Sequence, residues 1–197
     1  MTSPSSPTSD SAAVDDRCAR CLLRACLCAG VPVVAARTRV VIVRHPAERH
    51  RSSNSGRLAH LALTNSVLVE YRAPMPELDG AWLLYPEGPP CLAAPEPPPR
   101  QLVVLDGTWS QARRMFRKLA PLRGLPILRL PEGARAPRMR EAPSPDRVST
   151  IEAIARALRV LEGDGVATPL EELFALAVAR AAASGRTIAA GPAAPVT

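Results

Sequence analysis

The sequence predicts an α/β fold built on a mostly parallel sheet with flanking helices. Short apolar or β-branched runs of strand length alternate with longer amphipathic segments, which is typical of parallel α/β sheets. With 197 residues, the chain is long enough for one domain with a hydrophobic core. A central apolar run, residues 102–105, leads directly into a polar turn and a helix. Open α/β sheets bind their ligands at such a place.

The individual elements follow from periodicity and from turn residues. We expect strands at 38–44, 66–70, 81–85, 101–105 and 126–130. We expect helices at 57–63, 108–119, 149–161 and 168–183. The last helix would begin with Thr168 as N-cap and Pro169 at its first position. Pro-rich and Arg/Pro-rich loops are expected at 86–99 and 131–147, and tails at 1–16 and 185–197.

The charge balance suggests an anionic partner, and the hydropathy predicts no transmembrane helix. The 25 basic and 18 acidic side chains give a net charge of +7. All but one of the basic residues are Arg, so their clustering is better evidence than their number. No apolar stretch has the length of a transmembrane helix, and residues 1–16 lack the features of a secretory signal. We therefore expect a cytoplasmic protein.

Four of the five cysteines fall within eleven residues, at Cys18, Cys21, Cys26 and Cys28. In a cytosolic protein such a cluster points to a metal, and four thiolates suit the tetrahedral coordination of Zn²⁺. Since the set would fill all four positions, we predict a structural zinc knuckle over residues 17–30. The alternatives are ordinary buried thiols or a redox pair.

The turn after residues 102–105 reads Asp106-Gly107-Thr108-Trp109. Part of it has a purely structural interpretation, because Thr108 and Gln111 form a capping box. Trp109 would then open an apolar stripe that continues through Ala112, Phe116 and Leu119. A capping box does not explain a carboxylate at the end of a buried strand beside a glycine, so Asp106 is a candidate functional residue.

The same helix carries four neighbouring cations away from its apolar stripe, at Arg113, Arg114, Arg117 and Lys118. A solvated helix face is one interpretation. The lack of acidic partners four residues away favours the other, contact with an RNA backbone. Arg51 and Arg57 belong to further basic segments that could flank the same site.

Two other segments have both a structural and a functional interpretation. Ser149 and Glu152 form a second capping box, whose functional value depends on whether it meets the Asp106 turn in space. The turn from His45 to Glu48 follows a strand and could supply an acid/base group, although a lone histidine at a turn is more often structural.

These motifs occur in the same order in one known family. They are the cysteine cluster, His45-Pro46-x-Glu48, Asn54-Ser55-Gly56-Arg57-Leu58, Leu83-Leu84-Tyr85-Pro86, Asp106-x-Thr108-Trp109 with Ala112-Arg113-Arg114-Met115, and Ser149-Thr150-Ile151-Glu152-Ala153. The chain thus resembles the DTW-domain proteins, which are tRNA-uridine aminocarboxypropyltransferases. Ser55 stands where the family usually has Thr.

The resemblance implies a SPOUT-like catalytic domain, here residues 31–184, with a possible C-terminal knot. It implies S-adenosylmethionine as co-substrate and transfer of its 3-amino-3-carboxypropyl group to N3 of a tRNA uridine, with release of methylthioadenosine. A SPOUT methyltransferase and a non-catalytic, zinc-bearing RNA-binding module are the alternatives. We expect a monomer without an obligate protein partner.

The resemblance also implies roles for individual residues. Asp106 would act as a base, orient the reactants or hold the amino group of the co-substrate. The four cations on the helix would bind tRNA. The co-substrate would be held, largely through main-chain groups, by Leu84, Tyr85, Pro86, Gly107, Thr108, Trp109, Ser149 and Thr150.

Overall fold

The structure is a computed structural model that describes residues 17–131 and 148–184. Within them the strands are β1 (Arg39–Arg44), β2 (Ser66–Glu70), β3 (Ala81–Leu84), β4 (Gln101–Asp106) and β5 (Ile127–Leu128). They form one sheet in the order β2-β1-β4-β3-β5, and every pair is parallel. The predicted α/β class with a mostly parallel sheet is therefore confirmed.

Four α-helices accompany the described strands: α1 (Ser55–Ala62), α2 (Trp109–Lys118), α3 (Thr150–Glu162) and α4 (Asp164–Ala183). Short 3₁₀ turns lie at Cys28–Gly30, Pro46–Glu48 and Ala120–Leu122. Strand β5 is shorter than predicted, since it pairs only with Leu83 and Leu84 at the edge of the sheet.

Two hydrophobic layers cover the two faces of the sheet. Alternate residues of a strand point to opposite faces, so Val40 and Ile42 enter one layer while Val41 and Val43 enter the other. The first layer contains α1, α3, α4 and the cysteine knuckle, and the second contains α2. Strand β4 lies in the middle and is buried along its whole length. Its carboxyl end therefore lies between the two helix layers.

The start of the last helix was predicted wrongly. Helix α4 begins at Asp164 rather than after Thr168, so Pro169 lies inside the helix. A proline there removes one backbone hydrogen bond. Arg159 of α3 offsets this loss, because its guanidinium binds Asp164 at 2.6 Å and Glu171 at 2.5 and 2.9 Å. These contacts hold the first two turns of α4 against α3.

The predicted knot and the tails stay predictions. Residues 132–147, whose path between β5 and α3 would define a knot, lie outside the described residues, as do residues 1–16 and 185–197. The boundary of a separate knuckle at 17–30 also stays a prediction. None of the described helices has the length and apolarity needed to cross a membrane.

Candidate functional site

Three neighbouring strands end in charged residues at one edge of the sheet. Glu70, Arg44 and Asp106 lie opposite one another at the ends of β2, β1 and β4. Arg44 is buried and forms an ion pair with Glu70. Burying a charge is costly unless it is paired, so this row of charges is an unusual feature for the end of a hydrophobic sheet.

The Asp106 carboxylate joins two helices that are distant in sequence. Its Oδ2 accepts a hydrogen bond from Asn54 Nδ2 at 2.5 Å, and its Oδ1 accepts one from Thr150 Oγ1 at 2.7 Å. The Asp106 side chain is almost completely buried, with 2% exposure. Both carboxylate oxygens are thus engaged, and the carboxylate fixes the start of α1 relative to the start of α3.

Helix capping orients both partners of Asp106. Asn54 is the N-cap of α1, where its Oδ1 accepts from the backbone N–H of Arg57 at 2.8 Å, which leaves its amide NH₂ for Asp106. Ser149 caps α3 in the predicted capping box with Glu152, and Thr150 is the first residue of that helix. The positive ends of two helix dipoles therefore lie at this carboxylate.

Gly56 permits this close approach. A Cβ atom on Gly56 would lie 2.6 Å from Asp106 Cγ and 2.8 Å from each carboxylate oxygen. Every other residue type carries that atom, so only glycine allows α1 to approach the end of β4 this closely.

Opposing effects act on the pKa of the Asp106 carboxyl. Burial raises the pKa of the Asp106 carboxyl above its ordinary value, and the negative charge of Glu48 adds to that rise. The hydrogen bonds from Asn54 and Thr150 and the charge of Arg44 act in the opposite direction without cancelling it. Perturbed carboxyls of this kind concentrate at functional sites.

The turn from His45 to Glu48 packs beside Asp106. The backbone N–H of His45 donates to the carbonyl oxygen of Asp106 at 2.9 Å. The His45 ring caps the short 3₁₀ turn, with Nδ1 accepting from Ala47 N at 3.2 Å. Glu48 is completely buried, and Arg51 approaches it at 3.8 Å. This turn is therefore a wall of the site.

The structure distributes the predicted co-substrate residues along the same edge. Leu84, Gly107, Thr108, Trp109, Ser149 and Thr150 are all half-buried. The predicted capping box of Thr108 and Gln111 is present, so Thr108 N already donates to Gln111 Oε1 at 2.7 Å.

Tyr85 and Pro86 differ from this group. The Tyr85 ring turns into the layer of α2 and stacks on Phe116 at 4.2 Å, and its backbone N–H donates to Leu128 at 3.1 Å. Pro86 is exposed. The Tyr85 ring and backbone N–H are therefore engaged within the fold, which leaves the Tyr85 carbonyl and the exposed Pro86 as the groups of this turn without such a role.

The four predicted RNA-contacting cations share one exposed face of α2. Arg113, Arg114, Arg117 and Lys118 are all exposed, while Met115 on the opposite side is completely buried. Met115 belongs to the apolar stripe of α2 with Ala112, Phe116 and Leu119, a member that the sequence pattern did not predict.

Arg57 connects the site to the cysteine knuckle. It lies within α1, and its guanidinium donates to Arg20 O at 3.3 Å and to Arg49 O at 2.7 Å. Arg20 stands between the first two cysteines. The Arg57 guanidinium therefore donates to two backbone carbonyls and connects the knuckle, α1 and the turn at 46–49.

The four clustered cysteines meet the requirements of a tetrahedral metal site. The sulfur atoms of Cys18, Cys21, Cys26 and Cys28 all lie within 4.8 Å of one another, and Cys18 Sγ is 3.7 Å from Cys28 Sγ. Four thiolates at about 2.3 Å from Zn²⁺ are about 3.8 Å apart. The spacing and the soft donor set fit zinc in a site closed to substrate.

Asn54 and Gly56 contact Asp106, which their sequence motif alone does not predict, whereas His45 lies beside the Asp106 turn as one of its two sequence interpretations allows. An Asn followed two residues later by Gly at the start of a helix is a signal for an N-cap with a close approach, but it does not reveal the partner. The partner of the Asn54 amide is Asp106, 52 residues away, and the neighbouring Ser55 hydroxyl accepts from the backbone N–H of Ile151, 96 residues away from it.

The family model described as the DTW domain matches residues 15–182. The match includes the cysteine knuckle, all five strands and nearly all of α4. No solved structure matches the chain.

Proposed function

Because the chain belongs to the DTW-domain family, we propose that it is a tRNA-uridine aminocarboxypropyltransferase. It would transfer the 3-amino-3-carboxypropyl group of S-adenosylmethionine to N3 of a tRNA uridine and release methylthioadenosine. The observation that carries the proposal is the bridge from Asp106 to Asn54 and Thr150. It joins three of the family-like motifs at one strand end, where α/β proteins bind ligands.

The reaction asks the protein mainly for positioning. The leaving group is a sulfonium, which departs as a neutral thioether and needs no acid. The nucleophile is an imide nitrogen, which must lose its proton. Transfer of the aminocarboxypropyl rather than the methyl group requires that N3 meets the correct carbon, so the barrier is lowered chiefly by orientation.

Asp106 suits an orienting role better than that of a base. Its two oxygens are already engaged and its side chain has 2% exposure, so a proton acceptor in contact with substrate is not what this geometry favours. The carboxylate instead holds the starts of α1 and α3 in place. The half-buried turns at Gly107–Trp109 and Ser149–Thr150 would then form the sides of the co-substrate site.

The exposed basic face of α2 would bind the tRNA backbone. Arg113, Arg114, Arg117 and Lys118 follow directly from the Asp106 turn, so phosphates bound there would lie next to the site. Such contacts add affinity without reading sequence.

Zinc would be held by Cys18, Cys21, Cys26 and Cys28 and would stabilise the knuckle. Arg57 links this knuckle to α1, so metal binding would also support the site from behind. The closed donor set assigns the metal no part in the chemistry.

The deciding experiment uses purified protein, unmodified tRNA and S-adenosylmethionine, followed by mass spectrometry of nucleosides and small molecules. Methylthioadenosine with a uridine heavier by one aminocarboxypropyl group supports the proposal. S-adenosylhomocysteine with a methylated nucleoside would instead identify a methyltransferase. Binding of tRNA without either product would identify a non-catalytic RNA-binding module.

A further inference from the structure

The ring of His45 has one nitrogen with a structural partner and one without. Nδ1 accepts a hydrogen bond from the backbone N–H of Ala47 at 3.2 Å. An accepting nitrogen carries no hydrogen, so the neutral ring must carry its hydrogen on Nε2. Nε2–H has no partner among residues 17–131 and 148–184. His45 therefore presents a fixed donor rather than a base.

The backbone of His45 lies beside the candidate site at the end of β4. His45 is the residue after β1, and its backbone is bonded to Asp106 O. A Cβ on Gly107 would lie 3.4 Å from His45 Cβ, so the histidine lies against the Asp106–Gly107 turn. The ring is half-buried and runs nearly parallel to Tyr71, at 18° and with 6.0 Å between centroids.

Uracil has an electrostatic need that such a donor meets. When N3 loses its proton, the negative charge spreads onto the two carbonyl oxygens beside it. A hydrogen-bond donor held at either oxygen stabilises that charge more than it stabilises the neutral ring, and such donors accelerate reactions that develop an oxyanion.

From this arrangement we propose that His45 Nε2–H donates a hydrogen bond to a carbonyl oxygen of the acceptor uracil and stabilises the ring as N3 becomes anionic. The role rests on the proposed function. In the step, the N3 proton passes to solvent, N3 forms a bond to the terminal carbon of the aminocarboxypropyl group, and the carbon–sulfur bond breaks. Its electron pair stays on sulfur, which gives neutral methylthioadenosine.

Two substitutions distinguish the structural role of Nδ1 from the proposed role of Nε2. In His45→Asn the side-chain oxygen can replace Nδ1 as the cap of Ala47 N, while the Nε2 donor is lost. In His45→Gln an amide NH₂ reaches close to the place of Nε2, while the cap is lost. His50→Asn is the matched control, since His50 is an exposed histidine of the same segment.

The measurement is the rate constant at saturating S-adenosylmethionine and tRNA, together with KM for tRNA and the thermal midpoint. We expect His45→Asn to be slower by about 100-fold, the usual effect of losing one oxyanion donor. Its KM and thermal midpoint should match those of His50→Asn. His45→Gln should recover part of the rate even though it lacks the cap.

Two results would overturn the role of His45 alone. One is a His45→Asn rate within about threefold of His50→Asn. The other is His45→Gln being as slow as His45→Asn, which would show that the cap matters and the donor does not. Failure of the wild-type protein to form methylthioadenosine would instead overturn the proposed function, and this role with it.

Discussion

Gly56 and Asp106 are in such close contact that a single methyl group on the glycine would overlap the carboxylate, at 2.6 Å from its Cγ. The contact joins the first turn of α1 to the end of β4. In an ordinary helix interior alanine is more favourable than glycine by about 1 kcal/mol. Here the close approach reverses that preference.

We therefore expect Gly56→Ala to lower the free energy of unfolding by about 1–3 kcal/mol, as overpacking does, and to displace Asp106 from Asn54. The matched control is Gly165→Ala in the first turn of α4, where a Cβ would meet nothing within 4 Å. That substitution should be neutral or stabilising. Urea unfolding of both variants checks this, and equal stability of the two would contradict the steric argument.

Asp106→Asn should separate stability from activity. Burial raises the pKa of Asp106 in the folded protein, so at neutral pH its ionisation costs folding free energy. That cost begins to fall as the pH drops below the raised pKa and is gone below the unfolded value, about 3.9 for aspartate. Asparagine removes the charge and keeps a partner for Asn54 and, through a reversed bond, for Thr150. We expect unfolding stability at pH 7 equal to or above wild type. Because the bond to Thr150 must reverse, the start of α3 should shift, and since a misplacement of about 1 Å can cost about 100-fold in rate, transfer should be slower by about that factor.

The control for Asp106→Asn is Asp106→Ala, which leaves the buried groups of Asn54 and Thr150 unpaired. It should lose about 1–3 kcal/mol of stability. Asp106→Asn behaving like Asp106→Ala in thermal unfolding would refute the claim that the charge is costly. A wild-type transfer rate in Asp106→Asn would refute the orienting role.

Glu162 gives the fold a measurable dependence on pH. Its carboxylate accepts from the backbone N–H groups of Arg37 and Thr38 at 2.9 and 2.8 Å, just before β1. Burial acts to raise the pKa of Glu162, but these hydrogen bonds outweigh it and lower the pKa below its ordinary value. An acid whose pKa is lowered by folding stabilises the folded protein at pH values above its unfolded pKa, which is about 4.3 for glutamate. This contribution is lost as the pH falls through the folded pKa.

Glu162→Gln should accordingly be less stable than wild type by about 1–2 kcal/mol at pH 7, with the difference shrinking below about pH 4. The control is Asp79→Asn, because Asp79 forms an exposed pair with Arg100 and such pairs contribute little. Denaturation midpoints measured from pH 3 to 7 test the expectation. A difference that stays constant over this range would contradict it.

The basic face of α2 should govern affinity for tRNA through its charge. Arg113→Glu combined with Arg114→Glu should weaken tRNA binding and make the slope of log K against log salt shallower by about one to two. Arg180→Glu is the control, since Arg180 is an exposed cation on α4, in the opposite layer. Equal loss of affinity in the control would assign the effect to net charge rather than to this face.

The cysteine knuckle should purify with about one zinc ion per chain. Cys26→Ser removes one predicted zinc ligand at an exposed position. Because Cys26 is not part of the hydrophobic core, any loss of stability would come from loss of the metal rather than from damage to the core. It should lose the metal and lower the thermal midpoint, whereas Cys91→Ser, outside the cluster, should keep both. Elemental analysis and calorimetry decide this, and a metal-free wild type would favour the redox or buried-thiol interpretation.

Much of the framework was accessible from local patterns. The apolar runs around Val40 and Val103 are strands because both faces of a parallel sheet are buried, so the whole run must be apolar. The capping boxes at Thr108 and Ser149 depend on residues three apart, and both are present as predicted. The start of α4 escaped prediction because Arg159, on another helix, stabilises a turn that proline weakens.

The sequence by itself determined the fold class, the cysteine cluster, the basic face of α2 and the candidate strand end at Asp106, since each depends on residues close together in the chain. Only the tertiary structure decided what Asp106 contacts. Asn54 and Thr150 reach it from 52 and 44 residues away, and no local spacing encodes how two helix starts meet at one strand end. Likewise the His45 ring carries its hydrogen on Nε2 because Nδ1 accepts a hydrogen bond from the backbone N–H of Ala47. That bond depends on how the backbone turns after β1. For Asp106 and His45, whose identity in the sequence allows several roles, the tertiary contacts determine which atoms are engaged and which are left to act.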